Sequence, residues 1–233
     1  MVRLDAVAPA EGVGMDAWIR RVRGGVKAAV SLFLVEHRGV LTLVDTGSEG
    51  SFGRVMAALR KAGRTPEDVR QIVLTHCHGD HTGTAARLRG ATGATVVAGA
   101  ADVGAIEGKA PYPGPVDRLF KLVYADLARF DRLPVDVAVS GRHELEGGLV
   151  AIPTPGHTDG HIAVLAPDLD TVFAGDLVWH LGPLRPSWRR LTQDPARNAE
   201  SIRELAARGH ARIEPGHGSA VTGDRLRELA ARV

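Results

Sequence analysis

The stretch His76-Cys77-His78-Gly79-Asp80-His81 packs four metal-ligand side chains into six residues. Imidazole and carboxylate together suit zinc and its neighbouring transition metals. The apolar run Gln71-Ile72-Val73-Leu74-Thr75 directly precedes it and predicts a buried strand. Residues two apart point the same way in extended geometry, so His76 and His78 are offered to one ion. Asp80 and His81 follow where the chain is expected to bend, and are offered to a second. Four ligands do not fill two coordination spheres, so the remainder must come from farther along.

Three more candidates each follow a strand-like run. His157 lies in Pro155-Gly156-His157-Thr158-Asp159-Gly160-His161, after Leu149-Val150-Ala151-Ile152. Asp176 lies in Ala174-Gly175-Asp176, after Thr171-Val172-Phe173. His217 lies in Pro215-Gly216-His217-Gly218, after Ala211-Arg212-Ile213. A glycine beside each permits a tight turn, and all three are expected on turns. The tally is five histidines and two aspartates, enough for two adjacent ions if one carboxylate bridges them. No Gly-x-Ser-x-Gly elbow and no serine or cysteine triad is present. The expected nucleophile is therefore a metal-bound hydroxide, since bound ions lower the pKa of water from about 15.7 toward about 7.

The ordered pattern His-x-His-x-Asp-His, a distant His, an Asp and a last His resembles the metallo-β-lactamase superfamily over nearly the whole chain. Leu43-Val44-Asp45-Thr46-Gly47 is similar to the strand and Asp-x-Gly element that precedes the metal motif in that family. The resemblance implies an α+β fold, the αβ/βα four-layer sandwich, with metals at one edge between two sheets. It implies that His76, His78 and His157 hold one ion, that Asp80, His81 and His217 hold the other, and that Asp176 bridges. Two zinc ions are expected, with iron or manganese as alternatives. The implied activity is hydrolysis of an ester, thioester or lactone carbonyl, as in thioesterases and lactonases, with Asp80 and Asp176 among the catalytic groups. The substrate is expected to be a small molecule or a carrier-bound acyl group. Aspartate at 176 departs from the antibiotic-degrading members, which usually carry Cys or Ser near that position. Hydroxyacylglutathione hydrolases usually carry a C-terminal glutathione-binding segment; sixteen residues follow His217, so glutathione is not expected. A mononuclear iron sulfur dioxygenase and a phosphodiesterase share the ligand order and stand as alternatives.

Other residues take supporting expectations. Asp45 is expected to brace a ligand imidazole through its other ring nitrogen. His161 is expected to be structural. His180, four residues after Asp176, is a candidate to reach substrate or protonate a leaving group. Cys77, between two ligands, is expected to point away as a buried, inert thiol. His37, His143 and His210 are expected at the surface. Leu184-Arg185-Pro186-Ser187-Trp188-Arg189-Arg190 either grips a carboxylate or phosphate on substrate, or is a solvated loop with Trp188 packed on the body.

At 233 residues, one domain covering 1–233 is the default. A formal charge of +2 gives no electrostatic case for a nucleic-acid or membrane partner. The single cysteine rules out an internal disulfide and fits a reducing, cytoplasmic setting. No apolar run approaches the roughly 20 residues that span a membrane. Strands are expected at 29–36, 40–45, 94–97, 135–139, 149–152, 162–165, 171–174 and 212–213. Helices are expected at 51–62, 82–88, 195–208 and 223–232. A helix over 116–130 caps the cleft, pairs with another subunit in a homodimer, or packs into the core. Two runs of strands interleaved with helices fit two central sheets with helices outside.

Overall fold

A computed structural model describes residues 6–7, 17–24, 30–111 and 130–233. The expected helix over 116–130 lies almost wholly outside these residues. Among the described residues, one half of the chain forms strands β1 (Ala6–Val7), β2 (Trp18–Gly24), β3 (Val30–His37), β4 (Val40–Val44), β5 (Val69–Leu74), β6 (Thr95–Gly99) and β7 (Val137–Val139). The other forms β8 (His143–Glu144), β9 (Val150–Pro153), β10 (Ile162–Ala166), β11 (Thr171–His180), β12 (Arg185–Pro186), β13 (Arg212–Gly218) and β14 (Val221–Thr222). The main path runs β7-β6-β5-β4-β3-β13-β11-β10-β9-β8. The halves meet between β3 and β13, at the pair His217↔Val30.

Alternation along the strands sorts the core into three layers. Leu32 and Leu34 of β3, Ile72 and Leu74 of β5, and Val96 and Ala98 of β6 face helices α1 (Phe52–Lys61) and α3 (Ala85–Thr92). Their neighbours Phe33, Val35, Val73 and Val97 face the other way. There they meet Ala151, Ile162, Val164 and Phe173 of the second half, with the Phe33 and Phe173 rings 4.9 Å apart. On the far side, Val150, Ile152, Ala163, Leu165 and Val172 pack beneath α5 (Pro195–Ala207) and α6 (Gly223–Ala230). Helix, sheet, sheet and helix thus lie in four layers. Strands buried on both faces need continuous apolar runs, which is why β5 and β10 read so clearly. No helix among the described residues is long and apolar enough to cross a membrane.

Several elements depart from the sequence reading. The helical turn after β5 begins inside the motif, as α2 (Gly79–Thr82), α3 follows separately, and a short α4 (Val103–Ile106) comes after β6. Strands β11 and β13 run on past their apolar stretches to His180 and Gly218, so Asp176 and His217 lie within strands and not on turns. Backbone pairing continues there even though ligand and glycine residues break the apolar pattern. β2 carries no run that reads as a strand because arginines crowd it. His37 is buried, not at the surface, with Nδ1 against the Gly147 carbonyl and Nε2 3.1 Å from Asp168.

Candidate metal centre

The ligand side chains converge at the edge where the two halves meet. His76 and His78 leave the end of β5, while Asp80 and His81 sit on α2. His157 comes from the β9–β10 connection, Asp176 from β11 and His217 from β13. The rings of His76, His78 and His157 stand 4.7–4.8 Å apart and nearly perpendicular in every pair, at 79–83°. Three mutually edge-on imidazoles form a tripod, and His78 Nδ1 lies only 3.0 Å from His157 Nε2. Beside it, Asp80 Oδ2 lies 3.3 Å from His217 Nε2 and 3.7 Å from His81 Nε2. Asp176 stands between the sets. Its Oδ1 is 3.3 Å from His81 Nε2, and its Oδ2 is 3.3 Å from His217 Nε2 and 3.6 Å from His157 Nε2.

These spacings fit metal ions. Tetrahedral zinc with bonds of about 2.0–2.1 Å places its ligand atoms about 3.3–3.4 Å from one another. Buried and without a hydrogen-bond partner are His76 Nε2, His81 Nε2, His217 Nε2 and Asp176 Oδ1, which is costly unless a cation meets them. His76, His78 and His157 form one candidate group, and Asp80, His81 and His217 another.

The opposite ring nitrogens fix the tautomers. His81 Nδ1–H donates to Asp45 Oδ2 at 2.8 Å. The Thr75 N–H donates to Asp45 Oδ1 at 2.8 Å, and the Thr75 hydroxyl donates to the same carboxylate. That leaves Thr75 Oγ1 to accept from His76 Nδ1 at 3.0 Å, exposing the Nε2 lone pair of His76 to the site. Asp45 reaches this position from a left-handed backbone, φ +58°. His157 Nδ1 donates to Ser187 Oγ at 3.1 Å, and Ser187 donates to Thr192 at 2.8 Å. His161 donates from Nδ1 to Thr154 Oγ1 and accepts the Asp176 N–H on Nε2, at 2.8 and 3.1 Å. It therefore holds the backbone of Asp176, as its structural expectation required. Burial pushes its pKa down to about 3, so it stays neutral.

Charge divides the ligands into two kinds. Burial, then neighbouring histidines, holds His76 and His157 well below the ordinary imidazole value. Burial opposes charge on His81 and His217 too, but the carboxylates of Asp176 and Asp80 outweigh it. His81 is raised well above the ordinary value with Asp45 helping, and His217 is raised to about 9. Asp80 is drawn down to about 2, its burial overcome by His81 and His217.

Other expected residues fall outside the cluster. His180 ends β11 with Nδ1 donating to the Ser219 carbonyl at 3.0 Å and Nε2 accepting from Arg225 at 3.3 Å. Both ring nitrogens are thus engaged away from the cluster. Cys77 is buried in the core layer that faces α1 and α3, and burial raises its thiol pKa. Trp188 is 46% exposed, while its neighbour Ser187 is buried against His157. The braces at Ser187 and Thr154 carry no local sequence signal.

A hydroxyacylglutathione hydrolase of Cereibacter sphaeroides is 35% identical over 152 residues, covering 64% of this chain and 48% of that protein. The chain thus spans about half the length of such relatives. Probable metallo-hydrolase YflN of Bacillus subtilis is 28% identical over 219 residues, covering 82% of this chain and 81% of that protein. An archaeal metallo-beta-lactamase superfamily protein of Sulfolobus tokodaii shares the fold, with a TM-score of 0.71 at 18% identity over 92% of this chain and 85% of that one. A model of the metallo-beta-lactamase superfamily matches residues 26–217, a stretch that includes every ligand from His76 to His217, and on that ground the chain belongs to this superfamily.

Proposed function

We propose that the protein is a hydrolase that uses two zinc ions on an ester, thioester or lactone carbonyl of a small molecule or a carrier-bound acyl group. One observation carries this reading: the two oxygens of Asp176 reach the histidines of both ligand sets. A single carboxylate so placed suits a pair of ions better than a lone one. His76, His78 and His157 would hold the first ion, Asp80, His81 and His217 the second, with Asp176 shared. Bound zinc polarises a carbonyl and makes water acidic enough to attack it near neutral pH. The chain's own part is orientation. Asp45 and Thr75 fix His81 and His76, Ser187 fixes His157, and His161 fixes Asp176. The hydroxyacylglutathione hydrolase relatives favour the thioester among the three substrate classes. The buried, lone Cys77 supports a reducing compartment such as the cytoplasm.

The test combines metal analysis with hydrolysis profiling over thioesters, lactones, esters and phosphodiesters. Two zinc ions per chain and cleavage of a carbonyl substrate are expected. One iron per chain with oxidation of a persulfide overturns the reading, as does cleavage confined to phosphodiesters.

A further inference from the structure

Asp102 is a buried carboxylate outside both ligand sets. It ends the turn Ala100–Asp102 just past β6, beside the strand that leads into the ligand motif, and is 1% exposed. Its Oδ2 accepts the Cys77 N–H at 2.9 Å and the Thr158 hydroxyl at 2.7 Å. Its Oδ1 accepts the Gly160 N–H at 3.0 Å. Three donors converge on it, which is what an ionised carboxylate satisfies.

The partners of Asp102 belong to two ligand-bearing loops. Cys77 lies between His76 and His78, and Thr158 follows His157 directly. The loops press closely upon it: a Cβ on Gly160 would lie 2.3 Å from the Asp102 nitrogen and 2.6 Å from its Cγ. No ordinary side chain fits at 160, so the backbone itself comes up to the carboxylate. Asp102 touches neither Asp80, His81 nor His217 in any hydrogen bond or ion pair described.

We propose that Asp102 is a positioning residue for the ion held by His76, His78 and His157, clamping their two loops so that His78 and His157 meet at coordination distance. Asp45 is its counterpart at the other ion, through His81. The inference rests on the two-set reading of the ligands; Asp45 also reaches the first set through Thr75 and His76, whereas Asp102 meets only the loops of the first set. An outer partner that orients a ligand is typically worth 10–100-fold in metal affinity, so Asp102 should show itself in binding and not only in turnover.

The experiment is zinc competition against a chromophoric chelator in two backgrounds of the full chain. His217→Ala leaves the first set intact, and His157→Ala leaves the second. Asn at 102 keeps the shape but turns an NH2 toward at least one donor. Asp102→Asn is therefore expected to weaken zinc about 10–100-fold in the His217→Ala background and less than about threefold in the other. Asp45→Asn is expected to weaken zinc in both backgrounds, in the second set through His81 and in the first through Thr75 and His76. Thr158→Val removes one bond to Asp102 and should weaken the first set, while Thr158→Ser restores it. Cobalt bound to the first set should change its visible spectrum in Asp102→Asn. Equal weakening in both backgrounds, or none in the first, overturns the proposal. If Asp102→Asn does not fold, Thr158→Val binding like Thr158→Ser overturns it instead. A wild-type chain that holds one ion fails the dinuclear reading but leaves the first-set comparison readable.

Discussion

In the metal-free chain the two ligand sets hold their protons differently. His76 and His157 are neutral near neutrality because burial disfavours their charge. His81 and His217 carry protons that the nearby carboxylates stabilise, His217 up to about pH 9. An ion entering the second set must displace those protons, so its affinity rises with pH toward that value and falls in acid. An ion entering the first set displaces none from His76 or His157. Stepwise zinc addition near about pH 7 in weak buffer should thus release more protons with one equivalent than with the other, beyond those lost by metal-bound water. Equal release at both steps would contradict this division. The division also predicts the variants. Asp80→Ala and His217→Ala should deplete one ion, His76→Ala and His157→Ala the other, read as metal per chain. Asp176→Ala should lower both occupancies and turnover, by more than the roughly 10–100-fold in affinity that loss of an outer partner costs. A variant that keeps both ions and its rate places Asp176 outside the site. The ligands were legible because their spacing is local: six consecutive residues at a strand end, and single residues after apolar runs. The brace at Asp102 was not, since its partners Cys77 and Thr158 lie 25 and 56 residues away.

The elements explain why some ligands were found but misplaced. The apolar runs stop at Ala174 and Ile213, yet β11 and β13 stay paired to Trp179↔His217 and His180↔Gly218. Shifts in register between Phe173 and Gly175, and again before Trp179, let β11 carry Asp176 toward the site from within a strand. Local polarity read as a turn what the ladder holds as a strand. The first turn of α5 plays a comparable part for His157. Gly156 sits at φ +132°, a backbone region that side chains rarely adopt, and a Cβ there would lie 2.2 Å from the Asn198 nitrogen. The adjacent Gly156 carbonyl accepts the Asp194 N–H at 2.9 Å, tying the loop to the start of α5. Gly156→Ala is therefore expected to cost more than about 2 kcal/mol and to loosen the ion at His157. Thermal unfolding and zinc titration of this variant check it together. Wild-type values in both would mean that the loop has room to move, contrary to its packing.

At the scale of the molecule the site lies where the two halves meet along a narrow strand seam. The four layers followed from runs of apolar strands and from the family resemblance, but the seam itself did not. β3 meets β13 at one pair, and across it Arg21 of β2 pairs with buried Glu214 and donates to the Gly218 carbonyl. The arginines that disguised β2 as a polar segment are thus part of what closes the edge beside His217. The layer between the sheets, centred on Phe33 and Phe173, supplies apolar contact over the rest. Four ligands, His76, His78, Asp80 and His81, come from the first half. Three, His157, Asp176 and His217, come from the second. Ions bound among them would cross-link the halves, and binding to the folded state alone would stabilise it by about 4 kcal/mol at a thousandfold excess over Kd. Removing the ions also leaves His81 and His217 charged beside Asp80 and Asp176, a compensation that limits the loss near neutral pH. The chain stripped by a chelator should therefore stay folded at room temperature but melt lower, and its Tm should climb with added zinc. The gain should be larger at about pH 8 than at about pH 6, because protons held on His81 and His217 compete for the second set. A Tm that ignores both chelator and zinc would show that the ligands do not gather an ion across the seam.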